Sequence, residues 1–589
     1  MTKKSVQTKV LAAIMAVVML LCLVMPATLN VSAATQNKVP TFVKKATKVY
    51  ISEDQTMPVN IYFKDGGDIP YVNISEFISD FVVPAIAEDA PEFKLDCKAE
   101  GNTISLVRDN GSTATVDFDS NTVYFPNLAK FRELSVKDFF GVVMFMGGSA
   151  GLFKKDDSSY TRYGYSKTID FDDYGVPTGT DGKNFYIPLQ SFNDVFLFPF
   201  LGGSTVLYNG ESLFYCDGEL SEGMRKLYYD VKKTKLSKEY VDFNYGELCL
   251  GLDLNYGLKE NHRIKDFDSL FTGTGLKEQL LDYDNSATSI DTAIYTMINY
   301  YIDDIHTSYS GYSPYSDFNG DEKAYQALED MPSGVSRQRN NDTYDELEAA
   351  YNKYYPDGAK AYEEVGDTAY IRFNDFLIDG TEDYMSAPTD EEVMGADNTI
   401  RLMQYACDRI NANENIKRVV LDLSMNGGGL ATAALYVIGT FLGKGTMTCR
   451  DSITDTMCNS CYLVDTNRDG VFDDNDTLQS PELKARGLKL YCFISNVSFS
   501  CGNIVPCIFK DSKKVTLIGQ TSGGGACSMA GTSSATGTSF NISSPYIFSF
   551  EKNGSFYDMD RGAEPEFWIK DLSKLYDRAY MNTFLDKID

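Results

Sequence analysis

The chain has 589 residues, 43% apolar and 23% charged, enough for two to four globular domains with their own cores. The 39 Tyr and 36 Phe tell against disorder over most of its length. Acidic residues outnumber basic ones 83 to 54, a formal charge of −29; a field of that sign repels nucleic acid and anionic membranes and favours solubility and cation binding.

The N-terminus carries Lys3, Lys4 and Lys9, an apolar run from Val10 to Leu29, and the small-residue stretch Val31-Ser32-Ala33. That order of charge, apolar stretch and small residues is a secretory signal peptide over residues 1–33, cut near Ala33; an uncleaved anchor is the alternative. No later run is apolar enough to span a bilayer. The expected location is therefore outside the cell, with no membrane span after cleavage. The mature chain keeps eleven of the twelve cysteines, an odd number. Cys458 and Cys461, with Cys449 close by, could form a disulfide or half of a zinc site. With two histidines and no second C-x-x-C, zinc is disfavoured, and one or two bridges among scattered core cysteines are expected.

Residues 34–225 alternate apolar and polar positions between turns such as "DGG" and "DNG", which predicts a β-rich N-terminal domain. Over residues 226–365 the period lengthens. "LKEQLLDYD" and "SIDTAIYTMINYYIDDIH" carry apolar residues at helical spacing, followed by an irregular aromatic stretch and a polar helix around "TYDELEAAYNKYY". From Gly366 the pattern is α/β: "DTAYIRFNDF", "IKRVVLDLS", "LKLYCFIS" and "KKVTLIG" are strands, separated by helices. Strands alternating with helices require a largely parallel sheet with crossover helices.

Three features of residues 366–589 carry chemistry. "VVLDLSMNGGG" ends a buried strand in three glycines; amides there can approach an anion closely, although such a triplet also serves tight packing. "NVSFSCGNIVP" puts Ser500 at a strand-to-helix junction, where serine is either a nucleophile or a helix N-cap. "RGAEPEFWI" closes the domain. In this order the motifs resemble those of the S41 serine peptidases, the tail-specific or C-terminal processing peptidases, over roughly residues 366–575. The resemblance implies a ClpP/crotonase-like α/β core. It puts Ser500 in the nucleophile's place, with the amides of Gly427, Gly428 and Cys501 as oxyanion donors. Family members with a Ser/Lys dyad place lysine after the "VIG" strand, where this chain has Gly525, and no lysine occurs from Val515 to Tyr546.

The histidine-using, tricorn-like branch then supplies the expectation for the base. His306 lies in "IDDIHTSYS", similar to the Asp-x-His-Thr segment of many members, and imidazole titrates near operating pH. His262, among charges in "KENHRIKD", is expected to be a solvated surface residue. In that branch an acid near the final G-x-x-P turn contributes, which makes Asp560 and Glu564 candidates; Asp304 and Thr307 could orient the histidine or cap a helix. The substrate implied is a polypeptide. A chain that keeps the fold as a catalytically inactive peptide-binding or surface-assembly protein is the alternative. No PDZ-like sequence is recognisable between His306 and Gly366.

"DTNRDGVFDDND", residues 465–476, fits a twelve-residue calcium loop: Asp465, Asn467, Asp469, Asp473 and Asp476 as oxygen side chains, the Val471 carbonyl, and Gly470 at the turn. It would sit in an insertion at about 451–485 and hold a structural Ca2+, with no cofactor needed for the chemistry.

Overall fold

Runs such as Val419-Val420-Leu421, apolar without alternation, suit strands buried on both faces. The computed structural model describes residues 40–87, 94–132, 147–161, 164–198, 204–217, 219–390, 393 and 397–589. In it the C-terminal runs form one six-stranded sheet. Its order is Tyr362–Val365, Thr368–Arg372, Arg418–Asp422, Lys489–Ile494, Val515–Gly519, Phe567–Trp568. The first strand is antiparallel to its neighbour and the rest are parallel. Spatial order follows chain order, and strands of the second sheet are inserted in the connections after Asp422 and after Gly519.

The helices Thr399–Ala412, Ala431–Leu442 and Cys501–Ser512 cover one face, packing on Ile371, Val419, Leu421 and Cys492. The alternate residues Tyr370, Val420, Tyr491 and Phe493 point to the other face, under the helices Val335–Tyr354 and Arg578–Ile588. Burial of both faces explains the unbroken apolar strands, and the expected parallel sheet with crossover helices is present.

A second sheet stands beside the first. It is antiparallel, in the order Ser308–Gly311, Ser539–Ser549, Gly445–Asp451, Met457–Val464, Phe153–Thr161, with Cys527–Ser533 also paired to Ser539–Ser549. One of its strands thus comes from the N-terminal region. The rest of that region is β-rich, with a seven-stranded and a five-stranded sheet. Its core residues Val49, Ile61, Phe77 and Phe192 are continuous with Tyr240 and Leu250 of the helix Lys238–Asn255, and with Phe540 and Ile542. Residues Phe42–Asp589 make one unit.

The cysteines differ from expectation. Cys449 lies opposite Cys458, and Thr446 opposite Cys461. Cys458 and Cys461 are three apart on one strand and face opposite sides of it, so the C-x-x-C can close neither a bridge nor a zinc half-site. No disulfide joins the described cysteines. Among the described residues no helix is long and apolar enough to cross a membrane. The expected signal peptide, 1–33, lies outside them.

Candidate active site

Ser500 sits where the strand Lys489–Ile494 has ended and the helix Cys501–Ser512 begins. Its backbone has φ 54° and ψ −123°, a conformation a non-glycine residue adopts only under constraint. The constraint is visible. Ser500 donates its amide to the Gly524 carbonyl at 2.9 Å, and its own carbonyl accepts from Asn503 and Ile504. The hydroxyl makes no capping bond to the helix, so the N-cap alternative fails, and the side chain is half-buried. Gly428 presses against it: a Cβ there would stand 2.6 Å from Ser500 Cβ and 3.1 Å from Oγ, and φ is +119°. The middle glycine of the triplet therefore makes room for the serine.

The expected oxyanion donors divide. The Gly427 amide donates to the Asn374 carbonyl at 2.9 Å, and the Gly428 amide to Asn426 Oδ1 at 3.0 Å. Both are occupied, Gly427 by a residue outside the motif and Gly428 by the motif's own Asn426, so neither stands free as an oxyanion donor here. Cys501 is the first residue of its helix; the amides of Gly502, Asn503 and Ile504 have acceptors, and that of Cys501 has none among the described residues. It remains available beside Ser500.

His306 comes from nearly 200 residues upstream and reaches this junction through the antiparallel pairing of Ser308–Gly311 with Ser539–Ser549. Its ring centroid lies 4.6 Å from that of Phe499. It is 5% exposed, and its Nδ1 is buried without a partner. Burial pushes the imidazole below its ordinary value, and the charge of Asp304 opposes this without overcoming it.

Asp304 does not hold the ring. Its Oδ1 accepts from the His306 amide at 3.1 Å, and Oδ2 accepts from Thr307 Oγ1 (2.9 Å), Tyr256 OH (3.2 Å) and Ser543 Oγ (2.6 Å). It fixes the backbone of the turn. Arg337 donates to the Asp304 and Thr307 carbonyls from the other side. The preceding residue, Asp303, caps the Val335–Tyr354 helix by accepting from the amides of Ser336 and Arg337.

Asp560 Oδ1 accepts from the Gly525 amide at 3.1 Å and Oδ2 from Asn261 Nδ2 at 3.4 Å. Burial and the nearby Asp304 charge push its carboxyl upward, while the Gly525 bond and His262 oppose them. Glu564, the other candidate, is exposed; its carbonyl, not its side chain, accepts from Lys510. It stands in a groove with Lys510 and Arg561, apart from His306. His262 is half-buried rather than solvated, its ring 6.1 Å from Tyr256, which itself bonds Asp304. Tyr256, Asn261 and Ser543 belong to the site's surroundings, and no local pattern marks them.

Gly525 occupies the position where a dyad lysine was expected. Its φ is +78°, and a Cβ would stand 2.4 Å from the Phe499 ring. The aromatic platform under His306 takes the space a side chain would need.

The 465–476 loop folds around its carboxylates. Asp465 Oδ1 and Oδ2 accept from the amides of Arg468 (2.6 Å) and Gly470 (2.9 Å), and Asp476 from those of Thr466, Asn467 and Asp473. Asn467 Oδ1 and Asp469 Oδ1 each accept the amide two residues on, and Asp473 caps the turn Asp474–Asp476. Val471 is exposed. Oxygen donors and loop shape suit a hard cation, although among the described residues no three His, Cys, Asp or Glu groups are gathered as a metal cluster.

Residues 367–549 match the model of peptidase family S41. Among solved structures, the chain is similar to the photosystem II D1 C-terminal processing protease at 17% identity, over 36% of this chain and 46% of that one, with a TM-score of 0.25. A peptidase candidate from Parabacteroides merdae is similar at 16% identity, over 52% and 82%, with a TM-score of 0.32. The tricorn protease is similar at 17%, over 41% and 19%, with a TM-score of 0.24. The chain thus spans about half the length of the first of these. No curated protein matches it.

Proposed function

We propose that this chain, whose residues 367–549 match the model of peptidase family S41, is a serine peptidase that hydrolyses polypeptides through an acyl-enzyme on Ser500. The observation that carries the reading is the conformation of Ser500: left-handed φ, no capping bond, and a glycine pressed against its side chain.

Ser500 Oγ attacks the scissile carbonyl carbon as His306 takes its proton. The tetrahedral oxyanion is held by the Cys501 amide at the positive end of the Cys501–Ser512 helix. Collapse breaks the C–N bond, and the proton on His306 passes to the leaving amine. Water then repeats the sequence on the ester and frees Ser500. His306, kept neutral by burial, is ready as a base. Asp560 is the acid we assign to steady the imidazolium. Its carboxyl is held in place by Gly525 and Asn261, as such a role requires. Labelling of the full chain with a fluorophosphonate, followed by peptide mapping, tests this. Label on Ser500 that vanishes in His306→Ala supports the assignment; an active His306→Ala enzyme sinks it.

The occupied amides of Gly427 and Gly428 favour a second reading, a peptide-binding protein that has lost the reaction. A folded chain that takes no label would support it. We further propose that the 465–476 loop holds Ca2+ through Asp465, Asn467, Asp469, Asp473, Asp476 and the Val471 carbonyl, as a structural ion. The N-terminal segment is proposed to direct export, and the acidic surface suits a dissolved extracellular protein.

A further inference from the structure

One buried side chain links the helix that carries Ser500 to the turn that carries Asp560. Asn503 lies one helical turn beyond Ser500, donates its amide N–H to the Ser500 carbonyl at 2.9 Å, and is 0% exposed. Its side-chain Nδ2 donates to the Met559 carbonyl at 2.9 Å, directly before Asp560. Its Oδ1 accepts from Ser522 Oγ at 2.7 Å, and Ser522 Oγ in turn accepts from the Ala563 amide at 2.6 Å. Both ends of the Met559–Ala563 turn are therefore tied to one carboxamide. The Met559 carbonyl also accepts from the Gly562 amide at 3.1 Å, which closes the turn on itself.

We infer that Asn503 is a positioning residue for Asp560, fixing the acid's turn relative to the nucleophile; this rests on the serine peptidase reading above. The chemistry favours an amide at this point. The two ends of the turn offer opposite needs, a carbonyl that wants a donor and a hydroxyl that wants an acceptor. A carboxamide meets both at once, with its donor and its acceptor on separate atoms. In a fully buried place each bond is worth more than in water, and a lost partner leaves a stranded polar group. Acid and nucleophile then move as one body. Asp560 itself reports its placement, because its Oδ1 takes the Gly525 amide proton at 3.1 Å.

The test measures the rate of fluorophosphonate labelling at Ser500 and the deuterium exchange of the peptide containing Gly525. It compares the full-length wild type, Asn503→Ala, Ser522→Ala, Asp560→Asn and the Asn503→Ala/Asp560→Asn double variant. Asn503→Ala slows labelling roughly ten- to a hundred-fold, the size expected when a catalytic group is misplaced by about 1 Å. The double variant is no slower than Asp560→Asn alone, and the Gly525 amide loses protection. Should Asn503→Ala not fold, Ser522→Ala, which removes the other end of the clamp, shows the same two effects more weakly.

Losses that multiply in the double variant overturn the proposal, since Asn503 then acts independently of Asp560. So does a Gly525 amide that stays protected in Asn503→Ala. A wild type that takes no label, yet loses Gly525 protection on Asn503→Ala, keeps the clamp and discards the peptidase reading.

Discussion

The His306 and Phe499 rings lie 4.6 Å apart, tilted by 58°, so that the residue beside Ser500 holds the imidazole. The contact joins two segments that no local pattern connects. It also puts the imidazole in a low-dielectric place, with consequences for its titration.

Burial lowers the pKa of His306, and Asp304 only partly offsets it. The neutral, proton-accepting form therefore persists below pH 6.5, and the acidic limb of kcat/KM is expected below that value. Asp304→Asn removes the opposing charge and moves the limb further toward acid. The same depressed value makes the folded chain bind fewer protons than the unfolded one, so this group costs stability as pH falls through 6.5. A pH–rate profile of wild type and Asp304→Asn checks the sign; a limb above pH 6.5 contradicts it.

Gly428→Ala should abolish labelling of Ser500 while leaving most of the fold in place. The new methyl would meet Ser500 Cβ at 2.6 Å, from a backbone with φ +119°. Strain of this kind costs on the order of 1–3 kcal/mol. Thermal unfolding alongside fluorophosphonate labelling separates the two effects, and normal labelling in Gly428→Ala would contradict the packing.

Gly525→Lys should not create a serine–lysine dyad. The side chain would start 2.4 Å from the Phe499 ring, at φ +78°, and would displace the platform under His306. The expected result is a loss of labelling and a destabilisation of about 1–3 kcal/mol from overpacking. A Gly525→Lys/His306→Ala variant that hydrolysed peptides would show the opposite.

Asp194 and Glu247 are both 2% or less exposed, and burial lifts Asp194 to about 7 and Glu247 well above its ordinary range. Gln190 and Thr532 donate to Asp194, and Ser191 donates to Glu247. Because these pKa values are raised on folding, the native state holds more protons. Stability is present at acid pH and declines as pH rises from the usual carboxylate range through 7. Glu247→Gln should flatten that decline and raise the unfolding midpoint at pH 8. Denaturant titrations at pH 5 and 8 measure it.

If the 465–476 loop binds calcium, chelation lowers the melting temperature and exposes the 451–485 insertion to proteolysis. The Asp465→Ala variant should lose the response to added calcium without losing Ser500 labelling. An unchanged melting curve with and without the ion would argue against the site.

Much of the sheet was legible because burial on both faces writes itself as an apolar run: Val419-Val420-Leu421 needs no partner to be recognised. Ser500 was legible from its small neighbours at a strand-to-helix junction. What sequence could not supply was pairing across the chain. The acceptor of the Gly427 amide, the Asn374 carbonyl, stands outside the motif and looks like an ordinary loop residue, whereas Asn426, which takes the Gly428 amide, lies two residues away within it. His262 looked solvated because its neighbours are charged, whereas its environment is set by Tyr256 and Asp560. Cys458 and Cys461 suggested a pair by spacing alone, and strand geometry turns them apart.

The strand Phe153–Thr161 completes the edge of Met457–Val464. A fragment beginning at Gly366 would keep Ser500 and the parallel sheet but leave that edge bare, with a row of unsatisfied amides and carbonyls. Bare edges recruit other chains. Such a fragment would aggregate by strand addition, and it would also lack the histidine. The N-terminal strand moves that edge to an exposed, charged segment, Lys154 to Asp157, of the kind that discourages strand addition, a task separate from anything the region binds.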